Sequence, residues 1–172
     1  MPLRKKLLIT ILTTLLSFNV YAHKGREASR ITSPHTCTRH DNTTLSLACA
    51  IYAEARGQGS HGMFSVGNVV LNRVDDGTHP DSIRKVILQK DQFSYTTSLP
   101  FKVEDKNSFN EALNISEDLI TMNSLAPDLR AVVDPTQGAT FFKTKKIHPE
   151  WSRAKGFKLT YTYKEHQFFK EE

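Results

Sequence analysis

The sequence of 172 residues holds one tryptophan, two cysteines and no hydrophobic stretch long enough for a comfortable membrane span. It has no His-Glu-x-x-His, no phosphate-binding glycine loop and no Cys-x-x-Cys pair, so neither a metal nor an organic cofactor is expected. No internal repeat or low-complexity run is present, which argues against repeat and fibrous architectures. A strong charge of one sign is also missing. Of 23 basic and 18 acidic residues, Arg4, Lys5 and Lys6 precede His23, which leaves 20 against 18 beyond that point. So small an excess gives no reason to expect a nucleic-acid partner.

The ends are informative. Arg4 to Lys6 form a basic start, Leu7 to Leu16 a short apolar run, and Val20-Tyr21-Ala22 a small-x-small cleavage pattern. Residues 1–22 are therefore read as a cleavable signal peptide, with a retained and later released anchor as the alternative. The expected location is secreted or periplasmic, with no stable membrane anchor after cleavage. Residues 23–41 lack periodicity and read as an N-terminal arm, and residues 42–172 are long enough for one domain with a sizeable core. A monomer is expected. Lys143, Lys145, Lys146, Arg153, Lys155, Lys158, Lys164 and Lys170 face only Glu150 and Glu165, a bias that fits a solvated basic face or a polyanion contact.

Cys37 and Cys49 both lie in the exported part, where an oxidising compartment favours a bridge between the arm and the first helix. Such a loop contributes about 3 kcal/mol in the chain-entropy model. The competing metal reading, Cys37-x-x-His40 with Cys49, lacks a fourth ligand at a familiar spacing.

Four helices are expected. The first starts at a cap on Asp41 or Asn42 and stops at Gly57 and Gly59. The second runs from about Ser60 to Arg73, with Met63, Val66, Gly67, Val70 and Val74 on one face and Ser65, Asn68 and Asn72 on the other. Pro80 to Gln89 reads as the third. The fourth, to about Met122, opens on the capping-box pattern Ser108-Phe-Asn-Glu111. In the C-terminal third, Pro135–Phe142 and Lys158–Tyr163 alternate or turn, with Leu159, Tyr161 and Tyr163 on one face of a short strand. The expected class is mainly α with small extended pieces (α+β).

Glu54 is the residue that stands out. As a helix, its segment places Leu47, Ala50, Ile51, Glu54 and Gln58 in one sector and Leu45, Ala48, Cys49 and Tyr52 on the opposite side. The helix is apolar nearly all round and should be buried. Burial and the partial negative charge of a helix C-terminus both raise a carboxyl pKa. A glutamate kept partly protonated near neutral pH is what a general acid for glycosidic cleavage requires. The alternative is a glutamate paired with Arg56 or Arg73, or turned to solvent. Arg56 is expected to point away, being roughly opposite Glu54 on the helix.

Several ordered pieces resemble the spore cortex-lytic enzymes and related cell-wall hydrolases. They are Ile51-Tyr-Ala-Glu-Ala-Arg-Gly57, Gly62-Met-Phe-Ser-Val-Gly-Asn-Val-Val-Leu-Asn-Arg73, Gln92-Phe-Ser94, Gly138-Ala-Thr-Phe-Phe142, Trp151 and His166-Gln-Phe-Phe169. The resemblance spans about Leu45 to Phe169. It implies a lysozyme-like fold, an association with the cell wall, peptidoglycan glycan strands as substrate, Glu54 as catalytic acid and a lytic transglycosylase reaction. That reaction uses a single acid/base, whereas hydrolysis by the usual routes uses a second carboxylate. Relatives often carry a second acid where this chain has Gln58. Asp91 is the best partner for a hydrolytic muramidase; Asp75 and Asp76 sit in a turn-forming Asp-Asp-Gly. A non-catalytic wall-binding domain is the third reading.

The substrate-binding candidates are Gln92, Ser94, Tyr95, Thr140 and His166. Gln92 and Ser94 suit hydrogen bonds to an N-acetyl group, with loop capping as the alternative. Tyr95 and Thr96 stand where relatives often have tryptophan. Thr140 can line the cleft, whereas Phe141 and Phe142 are expected in the core. Trp151 reads as a packing anchor or a sugar stacker, and His166 as a substrate contact or a structural hydrogen-bonder.

Overall fold

The computed structural model describes residues 33–172. The expected signal peptide, residues 1–22, and residues 23–32 of the arm lie outside the described residues. Helix α1, Thr43–Ala55, begins where the Asn42 side chain accepts from the Leu45 amide at 2.9 Å, so Asn42 rather than Asp41 is the cap. Leu47, Ala48, Ala50 and Ile51 are fully buried, with Cys49, Tyr52 and Ala55 almost so. The all-round apolar pattern thus makes α1 the central helix, packed by α2 (Gly59–Asp75), α3 (Ile83–Leu88) and α4 (Lys106–Asn123).

Gly67 sets how closely these helices approach. A Cβ there would lie 2.2 Å from Leu119 Cδ1 of α4 and 3.0 Å from Ile51 Cδ1 of α1. The second face expected for α2 is buried too. Ser65 and Asn68 satisfy their polar groups on the helix itself, donating to the His61 and Phe64 carbonyls at 2.8 and 2.9 Å.

Two helix boundaries differ from expectation. The third helix is shorter than Pro80–Gln89, because Ser82 holds extended backbone. The fourth begins before Ser108. Asp105 caps it, accepting from the amides of Asn107 and Ser108 at 3.0 and 3.1 Å and from the Ser108 hydroxyl at 2.6 Å. The reciprocal arm of a capping box is absent, because Glu111 is engaged by the Ser60 hydroxyl of α2. A short helix α5, Pro127–Ala131, follows.

The extended pieces form two small antiparallel sheets. β1 (Thr36–Cys37) pairs with β2 (Phe101–Lys102). β3 (Phe141–Thr144), β4 (Phe157–Tyr163) and β5 (His166–Glu171) lie in the order β3-β5-β4. The expected common face of Leu159, Tyr161 and Tyr163 does not form. The β4 register shifts between Leu159 and Tyr161, which leaves Leu159 exposed while the two tyrosines stack on each other. Trp151 packs with Phe141, Phe157 and Phe169 at centroid distances of 5.3–5.4 Å, the anchor role foreseen for it.

Cys37 and Cys49 form the expected disulfide, tying β1 to α1 with their Cα atoms 6.0 Å apart. His35 and Asp41, not His40, stand beside the bridge, and Asp41 also accepts from the Thr38 amide and hydroxyl. Among the described residues no helix is long and apolar enough to cross a membrane.

Candidate active site

Glu54 sits in the last turn of α1, just before Ala55 leaves helical backbone geometry and Gly59, at φ 74°, lets the chain turn into α2. Burial raises the pKa of its carboxyl above the ordinary glutamate value, and the charge of Arg73 opposes the rise. Among the described residues no hydrogen bond or ion pair holds the carboxylate. Arg56 points away, as expected: its guanidinium donates to the Tyr52 hydroxyl at 2.9 Å and lies over that ring.

Arg73 is only 4% exposed. Its Nε donates to the Thr140 carbonyl at 2.7 Å, and its guanidinium lies over the rings of Phe93 (5.4 Å) and Phe141 (5.9 Å). Nη1 is buried without a hydrogen-bond partner among the described residues. Burial lowers its pKa to about 10, with Asp76 and Glu54 pulling the other way, so it remains a cation at neutral pH. A cation retained between two aromatic rings and acting on the half-buried Glu54 limits how far that carboxyl is driven towards the neutral form.

The Gln92-Phe-Ser94 motif reaches this place through its aromatic residues. Phe93 is buried under Arg73. Tyr95 packs edge-on against Phe93 and Phe101, and its hydroxyl pKa is raised by burial and then by the negative charges of Glu54 and Asp41. Tyr95 therefore shares an electrostatic environment with Glu54. Gln92 is half-buried in the preceding loop, and Ser94 is exposed at the start of a 3₁₀ turn whose Thr97 hydroxyl it accepts through its carbonyl. Asp91 is exposed, with left-handed backbone at φ 63°.

Thr140 and His166 have other surroundings. Thr140 lines a cavity with Asn72, Asp75, Asp76, Thr78, Pro127, Gly138, Lys170 and Glu171, and no Glu54 atom borders it. His166 is 3% exposed between Phe142 and Phe168, with Nδ1 buried and unpartnered among the described residues. Burial lowers its pKa, which favours the neutral ring at neutral pH. The Gly138–Phe142 segment is pinned from α2. Asn72 donates to Asp134 (2.9 Å) and to the Ala139 carbonyl (3.0 Å), and Asp134 accepts from Thr136 and from the Gly138 amide. Adjacent residues Asn72 and Arg73 thus hold successive parts of one loop.

The expected basic face is not uniformly solvated. Lys143 is buried, donates to Gln167 at 2.6 Å and lies over Phe169.

Sequence reasoning placed Arg73 only as a possible ion-pair partner. Its position seven residues after Val66, on the apolar face of α2, is the signal that marks it as a buried cation. For Tyr161 and Tyr163 the sequence signals only the alternation of a strand.

Residues 57–169 match the family described as Cell Wall Hydrolase, a segment that begins just after Glu54. Over 49 residues the chain is 41% identical to a spore cortex-lytic enzyme of Halalkalibacterium halodurans, covering 28% of this chain and 15% of that protein. Two solved structures share the fold. The catalytic domain of the germination-specific lytic transglycosylase SleB from Bacillus anthracis aligns with a TM-score of 0.57 at 23% identity, covering 76% of this chain and 95% of that one. The catalytic domain of the Bacillus cereus SleB protein aligns with a TM-score of 0.58 at 21% identity, covering 85% and 99%. The lysozyme-like α+β arrangement expected from the sequence is the one found.

Proposed function

The chain belongs to the cell wall hydrolase family, and from that premise we propose that it is an exported peptidoglycan lytic transglycosylase with Glu54 as its single general acid/base. The observation that carries this reading is a half-buried Glu54 in the last turn of the buried helix α1, whose pKa is raised by desolvation and whose carboxylate is held by no hydrogen bond or ion pair among the described residues. A structural glutamate in such a place would be expected to accept hydrogen bonds, since partial burial without them is costly for a carboxylate that has only the charge of Arg73 to offset it.

In the proposed reaction, Glu54 gives its proton to the glycosidic oxygen as the bond between muramic acid C1 and that oxygen breaks. The resulting carboxylate then takes the proton of the muramic acid C6 hydroxyl while O6 bonds to C1. The product is a 1,6-anhydro ring, no water is consumed, and Glu54 returns to its starting state. One group serves both steps, in keeping with Gln58 standing where relatives often carry an acid. Arg73 steadies the carboxylate that exists between the two proton transfers. Tyr95 and the Gln92–Ser94 loop are proposed to border the substrate, with Thr140 and His166 supporting that loop region.

Mass spectrometry of fragments released from purified peptidoglycan tests the proposal, with Glu54→Gln alongside. Products ending in 1,6-anhydromuramic acid, absent from the variant, are expected. Reducing-end products would point instead to a hydrolytic muramidase, with Asp91 the first aspartate to replace. Binding to sacculi with no release of fragments would identify a wall-binding domain.

A further inference from the structure

β4 carries Tyr161 and Tyr163 two residues apart, with ring centroids 6.5 Å apart and planes within 12° of parallel. His61, in the first turns of α2, meets both. Its Nε2 lies 2.8 Å from the Tyr161 hydroxyl, and its ring centroid is 4.7 Å from that of Tyr163. None of the three belongs to the core: His61 is exposed and both tyrosines are partly exposed. The His61 contact restrains the Tyr161 ring, so the surface is largely set before anything binds.

The patch adjoins the segment that follows Glu54. The Gln58 side-chain oxygen accepts from the Glu165 amide in the β4–β5 turn at 3.2 Å. At Gly62 a Cβ would lie 3.5 Å from Tyr163 Cδ1, ordinary contact distance, but only 2.3 Å from Gln58 Cβ. The hairpin therefore rests on Gln58 and Gly62, and Gln58 is only four residues beyond Glu54. Lys164 Nζ, on the long side chain of the same turn, lies over the Tyr163 ring 5.6 Å from its centroid.

We propose that Tyr161, Tyr163 and His61 form a carbohydrate subsite that stacks against a sugar ring of the glycan strand cleaved at Glu54, a proposal that rests on the transglycosylase reading. A pyranose presents a C–H face to aromatic rings and hydroxyl or acetamido groups at its edge. Two near-parallel tyrosines with an imidazole beside them offer that combination of apolar faces and polar rims. Lys164 adds a cation where a wall glycan carries lactyl and peptide carboxylates. Of the other exposed apolar side chains, Leu125, Leu129, Val132 and Val133 belong to another stretch of the chain, whereas Leu159 lies on β4 itself, on the far side of the register shift from Tyr161.

The test measures sedimentation of the exported protein with insoluble purified peptidoglycan, in the Glu54→Gln background so that no cleavage intervenes. Tyr161→Ala/Tyr163→Ala is expected to weaken binding about tenfold, which corresponds to about 1.4 kcal/mol. Tyr161→Leu/Tyr163→Leu, which keeps apolar bulk without an aromatic face, should weaken it similarly while retaining the parent's far-UV circular dichroism and melting temperature. Tyr161→Phe should retain most of the binding. With Glu54 intact, the double leucine variant should raise KM and leave kcat unchanged. Parental binding by a folded double leucine variant, or a lowered kcat at parental KM, overturns the subsite. The acid assignment is read separately: if Glu54→Gln still cleaves peptidoglycan, that assignment falls, whatever the tyrosine variants do to binding.

Discussion

The Arg73 guanidinium is the cation that opposes the effect of burial on Glu54, and Glu54 in turn helps to hold Arg73 in its charged form. The two are nineteen positions apart, on different helices, and each is moved from its ordinary pKa chiefly by burial. Burial makes both charges costly, and their mutual attraction offsets part of that cost.

The pair predicts a pH signature. In the proposed reaction Glu54 acts first as an acid, so kcat/KM should fall as pH rises through its raised pKa. Arg73→Gln removes a charge that lowers this pKa, and the alkaline limb should move to higher pH. Arg73→Lys keeps the charge and should leave the limb near its parental position, even if the lost Thr140 contact reduces the rate. A profile unchanged in Arg73→Gln would show that the limb reports another group.

Glu54→Gln should gain stability while losing activity. The folded-state pKa of Glu54 lies above its unfolded value, so folding favours the protonated form. As pH rises past the unfolded pKa, the unfolded chain releases this proton first and stability is lost. Glu54→Gln should therefore melt a few degrees higher than the parent at neutral pH, and the gap should close below the ordinary glutamate pKa. Scanning calorimetry at pH 7 and pH 3.5 checks both halves.

Gly67→Ala should destabilise the domain by about 1–3 kcal/mol, because the new methyl meets Leu119 and Ile51 in a filled core. Urea unfolding measures the loss. Adding Leu119→Ala should recover less than the original stability, since it exchanges a clash for a cavity.

Breaking the bridge with Cys37→Ala/Cys49→Ala should cost about 3 kcal/mol. The oxidised parent and the double variant should differ by that amount in denaturant, whereas the reduced parent should unfold close to the variant. Glu54 is five residues beyond Cys49 on the same helix, so cleavage at low temperature should survive.

Much of the fold was legible because it depends on neighbours in sequence. The apolar surround of α1 requires burial whatever it packs against, and a carboxylate at position 54 then stands out. The pairing of two cysteines followed from their number and from the oxidising compartment expected for them. The Asp105 cap was missed because Ser108 and Glu111 satisfy the local pattern. Only the packing of α2 on α4 brings Ser60 to Glu111 and dissolves the box. The register shift near Thr160 likewise depends on β5, a partner that the β4 sequence does not contain.

The sequence by itself determined the helical core, the central buried helix and the candidate acid upon it. These follow from periodicity and from the cost of burying charge, both readable over a few turns of chain. Tertiary structure alone decided that Arg73, not Arg56, acts on that acid, that Tyr95 comes within reach of its charge, and that the Tyr161–Tyr163 hairpin rests on Gln58. Those relationships join residues 19 to 107 positions apart, and their geometry is set by how helices and strands pack, which no local pattern encodes.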